Sequence, residues 1–198
     1  MSVKDAPEIG YLPGTEIDKL MPYVMPLADH AGGEEGVRKM LEDNGFHQNE
    51  QLKESLNSIK DNYDFIIIDC PPSLNMLTIN SMTTADSVLV PIQCEYYALE
   101  GLSQLIHTVN LVKERLNEDL DMEGVVFTMY DARTNLSAQV VENVKDNLPQ
   151  YIFKTLIPRN IRLAEAPSHG LPINLYDAKS AGSDAYMLLA DELIEKNS

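Results

Sequence analysis

The sequence predicts an α/β fold, in which helices cover both faces of a doubly wound, mostly parallel sheet. Two patterns indicate this fold: short runs of consecutive apolar residues, and amphipathic segments between them with apolar positions three or four residues apart. Consecutive apolar residues are typical of strands buried on both faces, and helices between such strands form right-handed crossovers. The 198 residues, 44% of them hydrophobic, suffice for one core, so we expect a single domain over residues 1–198.

The elements alternate regularly from residue 51 onward. The first helix carries Leu52, Leu56 and Ile59 at helical spacing, and the strand after it holds four consecutive apolar residues that end at Asp69. Two prolines then precede Ser73, a residue suited to cap the next helix. The predicted order is helix 51–62, strand 63–69, helix 73–82, strand 86–93, helix 98–116, strand 122–130, helix 137–148, strand 151–158 and helix 183–196.

The first 48 residues are less regular than the rest. A short strand can end at Pro13 and Gly14, and Pro22 and Pro26 argue against a long helix between them. Residues 37–45 indicate a short helix that Gly45 terminates. We therefore treat residues 1–48 as a divergent segment ahead of the regular pattern at 49–198.

Net charge, cysteine content and hydropathy indicate where the protein acts and which partners it can bind. A net charge of −16 repels polyanions at long range, so any contact with nucleic acid must come from a local basic patch. Two cysteines, Cys70 and Cys94, suit a reducing compartment better than a disulfide framework. No apolar stretch approaches the roughly 18 residues of a membrane span, and no secretory signal opens the chain. We expect a cytoplasmic protein.

Asp69 is the first candidate for a functional residue. Ligands of open α/β sheets lie beyond the carboxyl ends of the strands, where a carboxylate can hold Mg²⁺ directly or through water. The alternative is an aspartate that caps a helix or accepts hydrogen bonds in a loop, and the residues alone leave both open. Cys70, Pro71 and Pro72 then force a stiff, extended exit that suits a switch loop beside a metal-bound phosphate.

Three long motifs resemble the ParA family of chromosome- and plasmid-partitioning ATPases, the Soj-like branch in particular. They are "YDFIIIDCPPSLNMLTINSMTTADSVLVPIQCEYYALEGLSQL", "FTMYDARTNLSAQVVENVK" and "KTLIPRNIRLAEAPSHGLPINLYDAKSAGSDAY". The resemblance covers residues 49–198 and implies a P-loop NTPase-like, three-layer α/β/α fold. The related MinD proteins end in a membrane-binding helix, whereas "LLADELIEKNS" has no basic face, so we expect no membrane contact.

The resemblance implies a cytoplasmic, nucleoid-associated ATPase that uses ATP and Mg²⁺, dimerises with itself, binds DNA non-specifically and is stimulated by a ParB-type centromere-binding protein. Asp69 matches the catalytic acidic residue that positions Mg²⁺, through water, and the attacking water. Arg133 and Arg162 match arginines that contact DNA. The remaining matches are the switch II residues Cys70, Pro71, Pro72 and Ser73, and the adenine-loop residues Pro158, Arg159 and Asn160.

The 198 residues lack elements that the family carries near its N-terminus. A phosphate-binding loop requires Gly-x-x-x-x-Gly-Lys-Ser/Thr, and the nearest segment, "AGGEEGVRKM" at 31–40, fails in spacing and charge. The phosphate-loop strand and the strand leading to switch I are absent as well. Hydrolysis by the chain alone is therefore not expected. We expect a truncated partitioning ATPase; the alternative is an inactive, ParA-like binding module that docks on a partner ATPase, a ParB-like protein or DNA.

Overall fold

The computed structural model describes residues 49–71, 76–95, 98–148 and 151–198. The predictions for residues 1–48, for Pro72 and for the Ser73 cap lie outside these ranges. The longer elements are α1 (Asn49–Asn57), α2 (Met76–Thr84), β1 (Ser87–Gln93), α3 (Ala98–Arg115), β2 (Asp121–Tyr130), α4 (Asn135–Asn147), β3 (Ile152–Pro158), α5 (Ile161–Glu165), α6 (Ile173–Tyr176) and α7 (Ala181–Lys196). Two 3₁₀ helices, Lys60–Asn62 and Ala166–His169, complete the set.

The three described strands form one sheet in the order β1-β2-β3. β2 and β3 are parallel, and Val125 pairs with Ile152. The backbone N–H of Asp121 donates to Asp86 O, and that of Cys94 donates to Thr128 O, so β1 also runs in the direction of β2. The predicted doubly wound, mostly parallel sheet is therefore confirmed over these strands.

The described residues form two compact units. The first, called here the sheet unit, includes residues 89–102 and 123–198, and the second, the helical unit, includes 103–122 and the described residues before 89. The core of the sheet unit is built from Val126, Phe153, Ile157 and Ala185, against which leucines of α5 and α7 pack.

The helical unit has its own core between α2 and α3. Ile79 and Met82 of α2 pack on Val109 and Val112 of α3, and Leu120 closes the cluster. Beside it, the Asn117 side-chain amide donates to the carbonyl oxygens of Met82 at 3.0 Å and Ala85 at 2.8 Å. These bonds satisfy carbonyls that the end of α2 leaves without helical partners.

The predicted strand at 63–69 is wrong in this structure. Residues 65–71 carry no regular secondary structure, and Ile67 is 84% exposed, with Phe65 and Ile66 also exposed. A strand is held by hydrogen bonds to a neighbouring strand, and β1, β2 and β3 pair only with one another in the described part of the chain. Four consecutive apolar residues are therefore not sufficient to form a strand here.

β1 differs from its prediction in burial. It was expected to be buried on both faces, but its side chains alternate: Val90 and Ile92 are buried, whereas Leu89 and Pro91 are exposed. β1 lies at an edge of the described sheet, where a proline without an N–H group is tolerated. β2 has the expected continuous burial, from Glu123 to Phe127.

Glu192 of α7 secures an irregularity in β3. The pairing of β2 with β3 shifts register between Val125 and Phe127, and the nearby backbone N–H groups of Lys154 and Thr155 donate to the Glu192 carboxylate at 2.7 and 3.0 Å. The Thr155 hydroxyl adds a bond of 2.8 Å. Burial acts to raise the pKa of Glu192, but these hydrogen bonds outweigh it, and the pKa is lowered.

Glu192→Gln should destabilise the chain at neutral pH, by about 1–3 kcal/mol, because the amide cannot accept all three donors. The folded-state pKa lies below the unfolded value, so this stabilisation is present above the unfolded pKa and is lost as the pH falls through the folded one. Urea unfolding from pH 7 down to pH 3 should therefore show the two chains converging. Glu195→Gln, an exposed change on the same helix, is the control, and an equal effect from it would contradict this role.

Candidate functional site

The basic candidates lie in loops of the sheet unit, at the carboxyl ends of β2 and β3. Arg133 follows the end of β2 by three residues, and Asn160 and Arg162 stand at the start of α5, just after β3. The Arg159 N–H donates to Tyr130 O at 2.9 Å, so the two loops begin side by side. The parallel pairing therefore brings the predicted DNA-contacting and adenine-loop residues to one edge of the sheet.

Asp131 and Arg133 form the tightest charge pair of this edge. Arg133 donates from Nε at 2.9 Å and from Nη2 at 2.7 Å, one bond to each carboxylate oxygen, and its backbone N–H adds a third at 3.0 Å. Arg133 is 87% exposed along its side chain, whereas Asp131 is 18% exposed. The hydrogen bonds from Arg133 hold the pKa of Asp131 far below its usual range.

The backbone around Asp131 is fixed by the start of α4. The Thr134 N–H and hydroxyl both donate to Asp131 O at 3.0 Å, and the Thr134 hydroxyl oxygen accepts from the Ser137 N–H as the N-cap of the helix. A threonine cap of this kind stabilises a helix by about 1 kcal/mol. The loop is thus anchored at the backbone of Asp131, and the Arg133 side chain extends from it into solvent.

Arg162 faces two carboxylates and is less exposed than Arg133. Asn160 caps α5 by accepting from the Arg162 N–H at 2.8 Å. The Arg162 guanidinium then pairs with Glu165 at 2.8 Å and with Asp177 at 3.4 Å. The Tyr176 hydroxyl also donates to Glu165, at 3.1 Å. Two carboxylates therefore share this guanidinium, whose side chain is half exposed.

The adenine-loop candidates have structural contacts of their own. Pro158 is the last residue of β3, and the Asn160 amide oxygen is used in the α5 cap. Arg159 is exposed, and its charge also acts to lower the pKa of Asp131. None of these contacts tests an adenine site, so that assignment stays a prediction.

The acidic partners of the two arginines were not predicted from the sequence. Asp131, Glu165 and Asp177 were not singled out, although Asp131 lies two residues from Arg133 and Glu165 lies three from Arg162. The i,i+3 spacing on a helix was the one signal that could have revealed the second pair. Asp177 is 15 residues away from Arg162 along the chain, and only the fold brings the two together.

Asp69, Cys70 and Pro71 belong to the helical unit, whereas the basic loops belong to the sheet unit. Asp69 is exposed and follows the segment that forms no strand, and the Cys70 thiol lies 3.7 Å from Ile68 O. Pro71 is exposed. Within the described ranges, no three His, Cys, Asp or Glu side chains are grouped as a metal site, and no helix is long and apolar enough to cross a bilayer.

Several known proteins are similar to this chain in sequence. A family model described as an AAA domain matches residues 33–122. The chain is 61% identical over 143 residues to the sporulation initiation inhibitor protein Soj of Bacillus subtilis, a match that spans 72% of this chain and 56% of that protein. It is 54% identical over 147 residues to the chromosome partitioning protein ParA of Myxococcus xanthus, which spans 74% of this chain and 52% of that protein. The chain thus spans about half the length of these curated relatives.

Solved structures resemble the chain as well. A cobyrinic acid a,c-diamide synthase of Mycobacterium smegmatis, with a bound ATP analogue and magnesium, has a TM-score of 0.63 at 34% identity, over 79% of this chain and 57% of that one. The cell division ATPase MinD of Pyrococcus furiosus has a TM-score of 0.61 at 27% identity, over 76% and 59% of the two chains.

A parallel sheet flanked by helices, with these structural neighbours, defines a P-loop NTPase-like α/β protein. Within that class, the identity to Soj and ParA proteins places the chain in the ParA/Soj family.

Proposed function

We propose that the chain is part of a DNA-partitioning ATPase of the Soj type. In its complete form such a protein would bind ATP with Mg²⁺, dimerise, hold DNA non-specifically and respond to a ParB-type protein, in a cytoplasmic, nucleoid-associated location. The identity of 61% to the Soj protein supports this, together with the ATP analogue and magnesium named for a structural neighbour. For the 198 residues alone we expect no hydrolysis, because they contain no phosphate-binding loop to stabilise the transferring phosphoryl group.

The exposed Arg133 guanidinium is the observation on which the proposed DNA contact depends. It extends from an anchored loop at the carboxyl end of β2, on a chain whose overall charge repels DNA. Arg162, whose guanidinium faces two carboxylates, is proposed as the second and weaker contact. Two contacts give weak, salt-dependent binding, so useful affinity needs a dimer or larger assembly to multiply them.

Arg133→Ala tests the contact directly. Fluorescence anisotropy with a labelled random-sequence duplex, at about 50 mM salt, should show DNA binding weakened by about threefold to tenfold, with a flatter dependence on salt. Arg115→Ala is the matched control, because Arg115 is an exposed arginine in the last turn of α3 and its removal changes the net charge equally. Equal losses from both variants would show that the effect comes from net charge alone and would contradict a specific contact by Arg133.

A second candidate function follows from the missing phosphate loop. The chain would then be a catalytically inactive ParA-like module that docks on a partner ATPase, a ParB-like protein or DNA. The exposed, unpaired residues 65–67 favour this candidate, because apolar side chains in that position gain free energy when a partner covers them. Both candidates predict no ATP binding by these 198 residues, so a Gly-x-x-x-x-Gly-Lys-Ser/Thr loop encoded in frame ahead of Met1 is the observation that would favour the first candidate over the second.

A further inference from the structure

We propose that Asp131 competes with DNA phosphates for the Arg133 guanidinium and so limits the affinity of each protomer for DNA. This inference rests on the DNA contact proposed above and adds a regulating residue to it. Its basis is that the carboxylate already occupies the edge of the guanidinium that binds oxyanions best.

The geometry resembles that of an arginine bound to a phosphate. Nε and Nη2 of Arg133 point at the two oxygens of one carboxylate, at 2.9 and 2.7 Å. A phosphate must either displace this carboxylate or bind the remaining Nη1 edge beside a negative charge. In either case the attraction between Arg133 and DNA is reduced, because the ion pair carries no net charge.

Of the two partners, Asp131 is the fixed one. Its carbonyl oxygen accepts two bonds from Thr134, and its N–H donates to the Ser137 hydroxyl at 3.4 Å. Arg133 is exposed over most of its side chain, so the guanidinium can swing away while the carboxylate stays in place. The very low pKa keeps Asp131 ionised throughout the neutral range.

The second proposed DNA contact is also paired with acidic residues, through one oxygen from each of two carboxylates. Arg162 is paired with Glu165 and Asp177 in a different loop, with no residue shared with the Asp131 pair. Both candidate DNA arginines are thus neutralised by carboxylates of their own unit. A single protomer with such a surface binds DNA weakly, and an assembly of several protomers binds it more tightly because their contacts act together.

Asp131→Asn tests the proposal, because asparagine keeps an oxygen that can accept from the Arg133 backbone N–H and removes the charge. Binding to the labelled random duplex at low salt should tighten by about threefold to tenfold, the effect of one uncompensated charge near a phosphate. The salt dependence should become steeper by about one phosphate contact. Asp146→Asn is the control, because Asp146 is an exposed aspartate of α4 and its substitution changes the net charge equally.

A double variant distinguishes competition from general repulsion. In an Arg133→Ala background, the gain from Asp131→Asn should disappear, since no guanidinium remains to be released. Asp131→Ser is the second neutral variant, and thermal unfolding followed by circular dichroism identifies any variant that fails to fold.

The outcomes separate this proposal from the one on which it rests. Equal gains from Asp131→Asn and Asp146→Asn, or weaker binding by Asp131→Asn, overturn the competition while Arg133 remains a DNA contact. Binding by Asp131→Asn, when the unsubstituted chain shows none, supports the competition in its strongest form. If neither the unsubstituted chain nor Asp131→Asn binds the duplex, the DNA contact and the competition are both overturned.

Discussion

Gly124→Ala is expected to destabilise the chain by about 3 kcal/mol or more. Gly124 lies in β2 with a φ of +152°, a conformation that residues with a side chain rarely adopt. A Cβ at this position would stand 2.8 Å from the carbonyl oxygen of Tyr151 and 2.7 Å from the ring of Phe153. The oxygen belongs to the backbone, so relief requires β2 and β3 to move apart. Urea unfolding should show a lower midpoint, or no cooperative transition.

Gly101→Ala supplies the matched control for this substitution. Gly101 lies within α3, and a Cβ there would meet no heavy atom within 4 Å. Alanine at a helical position of this kind should stabilise the chain by about 0.5–1 kcal/mol. If Gly124→Ala leaves the unfolding midpoint unchanged, β2 and β3 do not approach each other as closely as described.

The sequence pattern predicted most of the described fold, because helical and strand periods directly reflect which faces are buried. α3, β2 and α7 were expected within a few residues of their observed bounds. The short elements after β3 were not expected. α5 and α6 have five and four residues, too few for a period to emerge, and they depend on the Asn160 cap and on packing.

The strand predicted at 63–69 shows the limit of such patterns. Its isoleucines satisfy every local criterion for a buried strand, but a strand exists only if a neighbour offers hydrogen bonds and a covering layer. The local sequence cannot supply information on that neighbour. In the structure Ile66 and Ile67 are exposed and Ile68 is half-buried, and the expected position of Asp69 at the end of a strand is not realised.

Only part of the candidate site was identified from the sequence, because local sequence does not show which distant residues meet in the fold. Arg133 and Arg162 were located by resemblance to the family, and their acidic partners became visible only through contacts. Asp177 reaches Arg162 from beyond α6, a relationship that no local spacing encodes. The sequence therefore identified the two arginines, and the structure showed which carboxylates pair with them.

Binding of ATP with Mg²⁺ should be weaker than a Kd of about 1 mM for these 198 residues, a free energy of about 4 kcal/mol at most. Tight binding of nucleoside triphosphates depends on backbone N–H groups and a lysine that surround the phosphates. The sequence contains no such loop, and Asp69 follows a segment without strand structure. One exposed carboxylate repels phosphates unless a metal ion lies between them.

We propose that the described residues carry the DNA-contacting loops of a Soj-type protein without its phosphate-binding loop. Isothermal titration of Mg-ATP into the purified chain, with Asp69→Ala alongside, tests this claim. The expected result is no measurable heat of binding for either chain, while the unsubstituted chain still binds the random duplex at low salt. A micromolar Kd for ATP that Asp69→Ala abolishes would contradict the claim.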